Sequence, residues 1–136
     1  MREPIRDTRA MIAQMEPHLD ECYWRFVVVT AERVPQLLGA AIATFREDEG
    51  VSAIVPTAIA HDLGIDGPDF ARITLKVHSD LEGVGLTAAV SGALAEAGIA
   101  CNMVAAFHHD HAFVPSQRGE EALAVLRALQ AGQRSS

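Results

Sequence analysis

The sequence predicts an α+β chain made of two sandwich units, each an antiparallel sheet with helices on one face. Three observations predict it. Short runs of β-branched and alternating residues are separated by segments of helical period. Two hairpins resemble each other: Ala43, Phe45, Asp48 and Val55-Pro56 precede one helix, and Ala106, Phe107, Asp110 and Val114-Pro115 precede another. The 136 residues are 49% apolar and only 5% aromatic, enough for a core built mainly of Ala, Val, Leu and Ile. The division that follows is an N-terminal helical segment over 1–20, a first unit over 21–70 and a second over 71–136.

Each element has its own signal. Residues 7–16 read as a short helix, capped by Asp7 or Thr8, with Met11, Ile12, Met15 and Leu19 near helical spacing and Pro17 as its end. "CYWRFVVVT" (22–30) is β-branched and aromatic and reads as a strand buried on both faces near its end. "ERVPQLLGA" is a turn or short helix weakened by Pro35. Residues 41–56 form a hairpin with Arg46-Glu47-Asp48-Glu49-Gly50 at the turn. Thr57 caps a helix that stops at Gly64, and 66–70 is a loop.

The second half is more regular. In 71–79, Ile73, Leu75 and Val77 alternate with Thr74, Lys76 and His78, the pattern of a half-buried strand. A Gly-bearing loop leads to a helix over 86–98, expected to pack through small residues and to end at Gly98. Residues 99–107 and 112–115 are strands on either side of a polar turn. Residues 116–130 are a helix with the apolar stripe Ala122, Leu123, Leu126 and Leu129, followed by a frayed tail. A βαββαβ unit needs a fourth strand after its last helix, and nothing beyond residue 130 can supply one. That strand must come from the first half or from another chain, or the sheet keeps an open edge.

Charge and composition exclude several classes. The formal charge is −7, Lys76 is the only lysine, and no basic cluster is present, so nucleic acid and anionic membranes are poor partners. Cys22 and Cys101 form neither a C-x-x-C pair nor a disulfide framework. No 18-residue window is apolar enough to span a bilayer, and the N-terminus lacks the apolar run of a signal peptide. The expectation is a soluble, cytoplasmic protein.

The stretch "LEGVGLTAAVSGALAEAGIACNMV" (81–104) joins a strand end, a Gly-Val-Gly loop and a helix closing on Leu-Ala-Glu-Ala-Gly-Ile. In that order the segments resemble the ACT domain, the regulatory module of aspartate kinase and other amino-acid pathway enzymes. The match runs from about Arg72 to Pro115. The whole chain resembles small free-standing proteins with tandem aspartate-kinase-type ACT units, the N-terminal one degenerate. The resemblance implies a ferredoxin-like βαββαβ fold, non-enzymatic binding of a small molecule, usually an amino acid, and homodimers paired sheet edge to sheet edge. It places the ligand at that junction, against Glu82, Gly83, Val84, Gly85 and Leu86, and against Cys101, Asn102 and Met103. Ala100 stands where aspartate kinases usually have Asn, and Asn102 follows two residues later on the same strand face.

The loop suits a ligand on physical grounds too. Gly83 and Gly85 let the backbone approach, and the first N–H groups of the following helix favour an α-carboxylate. Asp80, Glu82 or Asp110 offers a carboxylate to an α-ammonium group. No catalytic residue and no cofactor are expected. Ser91 lacks the strand–turn–helix setting of a hydrolase nucleophile, and His61-Asp62 reads as exposed. Two alternatives stay open. One is a metal-dependent enzyme in which His109 and His111, on one strand face, share an ion with His78 or Asp80. The other is an interaction subunit with an empty ACT site. The plain reading of His108-His109-Asp110-His111 is a solvated turn.

Overall fold

The computed structural model describes residues 7–77 and 84–134. The elements run α1 (Thr8–Ala13), β1 (Pro17–Val29), a 3-10 turn (Ala31–Arg33), α2 (Val34–Leu38), β2 (Ala43–Glu47), β3 (Gly50–Pro56), α3 (Thr57–Asp62), β4 (Phe70–Leu75), α4 (Leu86–Glu96), β5 (Asn102–Ala105), β6 (Asp110–Pro115) and, after a second 3-10 turn, α5 (Gly119–Arg134). They form two compact units. One comprises residues 21–70; the other comprises 1–20 together with 71–136. The fold is the ferredoxin-like α+β type.

In the 21–70 unit the strand order is β2-β3-β1. Both pairings are antiparallel, with Phe26 opposite Ile54, Val28 opposite Ser52 and Phe45 also opposite Ser52. Charged residues do not fill the hairpin turn as broadly as expected: strands continue through Glu47 and from Gly50, leaving Asp48-Glu49 between them. One sheet face carries the core, in which Val27, Ala53 and Val55 meet Leu37 of α2 and Ala60 of α3. β1 departs from the sequence expectation. It begins at Pro17 rather than Cys22, and both faces are buried at Trp24 and Arg25 but only one near the strand's end, where Val27 is 5% exposed and Val28 68%. Thr57 is the first residue of α3 rather than its cap. Its hydroxyl instead donates to Asp69 Oδ1 at 3.0 Å.

The other unit has the order β1-β4-β6-β5, β1 contributing its Pro17–Asp20 stretch. Those four residues are the strand the C-terminal half lacked. Arg72 of β4 donates to Asp20 Oδ2 at 2.8 Å across this pairing. The core lies between the sheet and α1, α4 and α5. Ile73 and Leu75 of β4, Ala112 and Val114 of β6, and Val90, Leu94 and Leu126 of the helices are buried there together with Met11, Ile12 and Met15. Each of the larger side chains contributes on the order of 1.5–3 kcal/mol by leaving water.

α4 packs mainly through Leu86, Val90 and Leu94, with the small Ala89 partly buried against the same core. It ends as the sequence suggests: Gly98 has φ +73, and the Ile99 amide donates back to the Leu94 carbonyl at 2.9 Å. α5 does not fray at residue 130 but continues to Arg134. Gln130, 5% exposed, explains the extension. Its amide donates to the Ala13 carbonyl (2.9 Å) and to Glu16 Oε1 (2.8 Å). Glu16 sits at φ +44, a backbone conformation a non-glycine residue adopts only when held, here at the tight turn from α1 into β1.

Candidate functional site

The loop expected to bind ligand connects β4 to α4. Asp80, Glu82 and Gly83 lie outside the described residues. Val84 is 79% exposed, Leu86 is buried in the core, and Gly85 caps α4 at φ +107 with no side chain bonding the first turn. The Thr8 hydroxyl donates to the Val84 carbonyl. A Cβ built on Gly85 would stand 2.6 Å from Thr8 Oγ1 and 2.8 Å from its Cγ2. Thr8 of α1 thus stands on the side of Gly85 where a side chain would project.

The remaining expected residues do not converge. In the β5–β6 hairpin Asn102 pairs with Phe113 and Ala105 with Asp110. Asn102 and Asp110 therefore lie at opposite ends of the hairpin, about 10 Å apart along the strand, and on opposite faces. Asp110, 8% exposed, shares the core-facing side with Ala112 and Val114, while Asn102 is exposed. Met103 packs against the core. Cys101 is partly buried, and burial pushes its thiol up, away from reactivity.

The histidine run is divided between turn and strand. The Ala106 amide donates to the His109 carbonyl at 3.0 Å and closes the turn, and β6 starts at Asp110. His111 Nδ1 lies 3.0 Å from Thr74 Oγ1 on β4. Burial lowers its pKa, and the positive charges of Arg72 and His109 lower it further. Among the described residues no group of three or more His, Cys, Asp or Glu side chains could hold a metal ion. His78 and Asp80, the proposed third ligands, lie outside them.

Sequence reasoning missed a recess in the 21–70 unit. It occupies about 430 Å³ at the end of β1, between the strand, the turn into α2 and the loop after α3. Phe26, Val28 and Ile65 supply apolar wall, while Glu32, Arg33 and Asp66 supply charge of both signs. The size suits a small ligand. The loop wall is fixed from behind by Arg25, which is 8% exposed. Its guanidinium donates to the Ile65 carbonyl at 2.6 Å and to Asp69 Oδ1 at 3.0 Å and 2.8 Å. Burial works against the Asp69 charge, but the bonds from Arg25 and Thr57 and the Arg25 charge outweigh it and hold the carboxyl below its ordinary range.

This recess sits where a strand passes into the following helix, β1 into α2. The expected loop sits at the same point of the other unit, β4 into α4. The signal was available in "TAERV", a charged segment straight after an apolar strand. Nothing in its spacing set it apart from an ordinary turn.

Comparison with known proteins matches the ACT domain twice, over residues 3–72 and over residues 70–128. Among solved structures, a Vibrio cholerae protein of unknown function, described as a possible transport protein, is 38% identical. The match covers 88% of this chain and 92% of that one, with a TM-score of 0.76. The ligand-free regulatory subunit of aspartate kinase from Thermus thermophilus is 14% identical, with 83% and 95% covered and a TM-score of 0.62. Aspartokinase III of E. coli, solved with aspartate and ADP, is 12% identical with a TM-score of 0.59 over 83% of this chain and 32% of that one. These two likenesses are of fold. No curated protein sequence matches the chain.

Proposed function

The chain belongs to the ACT-domain family, with two ACT units in tandem, and on that premise we propose that it is a non-enzymatic regulatory protein that binds a free amino acid. The observation that carries this is the recess beside β1, which presents an apolar wall next to charges of both signs. A zwitterion needs that combination. Arg33 offers a planar pair of donors to an α-carboxylate. Glu32 and Asp66 offer acceptors to an α-ammonium. Phe26, Val28 and Ile65 suit an aliphatic or aromatic side chain. Arg25 keeps the loop wall in place before the ligand arrives, which reduces the ordering cost of binding.

Regulation follows if the ligand binds one conformation or assembly of the protein more tightly than another and so shifts its population. A soluble, cytoplasmic homodimer fits this role, and no helix of the described residues is long and apolar enough to cross a membrane. The β4–α4 loop, with Asp80, Glu82, Gly83, Val84 and Gly85, is the corresponding place in the second unit and the alternative seat for the ligand.

Thermal denaturation in the presence of each of the twenty amino acids tests the reading. A ligand of the folded state raises the midpoint in proportion to the logarithm of its concentration. We expect at least one amino acid with an apolar side chain to do so, and Arg33→Ala to remove the response, weakening affinity by roughly tenfold or more. A flat response across the set contradicts amino-acid binding.

A further inference from the structure

The sheet of the second unit has an outer face, turned away from α1, α4 and α5. Ala71, Ile73, Leu75 and Val77 lie in the core, so Arg72, Thr74 and Lys76 point outward between them. Ala112 and Val114 face inward as well, which puts His111 on the outer side, with Val104 of β5 opposite it and His109 two residues before it. β1 adds His18 and Asp20 by the same alternation. We propose that this face binds an oxyanion, a phosphate or carboxylate group seated among Arg72, Lys76, His109 and His111. It shares no residue with the recess of the 21–70 unit.

Three features favour an anion. Positive charge is scarce in this chain, with 11 Lys and Arg against 18 Asp and Glu, and the only lysine stands here. The charges of Arg72, His109 and Lys76 all act on His111, and Asp110 is the one acidic group that opposes them. Asp20 accepts from Arg72 at 2.8 Å and offsets that charge, whereas Lys76 has no ion pair among the described residues. Second, His111 is already oriented. Thr74, 6% exposed, lies 3.0 Å from its Nδ1, and when the hydroxyl donates there the ring proton sits on Nε2, across the ring and directed at a ligand. Third, His109 Nδ1 is buried without a hydrogen-bond partner, a costly state in a folded protein. Once protonated it is a donor that lacks an acceptor, and an oxyanion supplies one. The same positive charges repel a metal ion, which argues against a cation shared by the two histidines.

A bound anion must favour the protonated ring of His111, the form that its surroundings otherwise disfavour. Titration of the histidine ring signals by NMR reads this directly, with inorganic phosphate and succinate as the two probes and chloride at equal ionic strength as the reference. In about 20 mM phosphate or succinate the His111 midpoint should rise by about one pH unit relative to chloride, which corresponds to at least tenfold tighter binding to the protonated ring. A rise with phosphate alone identifies a phosphoryl group as the ligand, and a rise with succinate alone a carboxylate. Lys76→Gln, at an exposed position, keeps the fold and should remove most of the rise. A midpoint that neither probe moves beyond its value in chloride, or a rise that Lys76→Gln leaves whole, overturns the site.

Discussion

Thr8 and Gly85 are 77 positions apart in sequence yet touch, and their contact changes what the glycine is for. The position is closed to any side chain by Thr8 and by φ +107. Gly85→Val should therefore destabilise the protein by roughly 2 kcal/mol or more, through clash and backbone strain, and Thr8→Gly should restore part of that loss. Chemical denaturation of the single and double variants checks this. An unchanged midpoint for Gly85→Val contradicts it. His111 gives a second expectation. Its pKa lies below the ordinary 6.5 because of burial and of Arg72, His109 and Lys76, with Asp110 opposing. The unfolded chain then binds the proton more readily, so stability is full above about pH 7 and falls as pH drops through 6.5 toward the folded value. The wild-type melting point should fall between pH 7 and pH 5 more steeply than that of His111→Gln. Parallel curves contradict the assignment.

Among the elements, β1 shows how far the sequence could be read. "CYWRFVVVT" announces a strand through β-branched and aromatic residues, but Pro17–Asp20 does not. Pro17 and Leu19 face the core in strict alternation with the polar His18 and Asp20, and four residues are too few for that period to stand out beside a proline that also reads as a helix stop. The count of strands did require the missing one, so its existence was legible and its place was not. Exposure of Val28 was hidden for a different reason: a run of valines carries no alternation. At the site, the charged Glu32-Arg33 turn was visible but looked like any solvated connection. Its partners Ile65 and Asp66 are set beside it by the buried Arg25, a tertiary contact. β1 and α1 together make a prediction. A chain beginning at Glu21 loses the strand beside β4 and the buried Met11, Ile12 and Met15. Hydrogen exchange should then find the amides of α4 and α5 unprotected. Full protection in the truncated chain would show that the C-terminal half closes its own sheet.

For the whole molecule, the tandem arrangement gives two strand-to-helix connections, one per unit, and the first is the proposed seat of the ligand. The recess there has the volume, the apolar wall and the paired charges an amino acid needs. In the described part of the second connection, Thr8 donates to the Val84 carbonyl and stands against Gly85. The most direct test is amide NMR of the isotopically labelled protein, titrated in turn with the twenty amino acids. A binder seated in the recess should shift the amides of Val27, Val28, Thr30, Glu32 and Arg33 together with Ile65 and Asp66, and Arg33→Ala should abolish those shifts. Shifts confined to Val84, Gly85 and Leu86, or none with any amino acid, would contradict it.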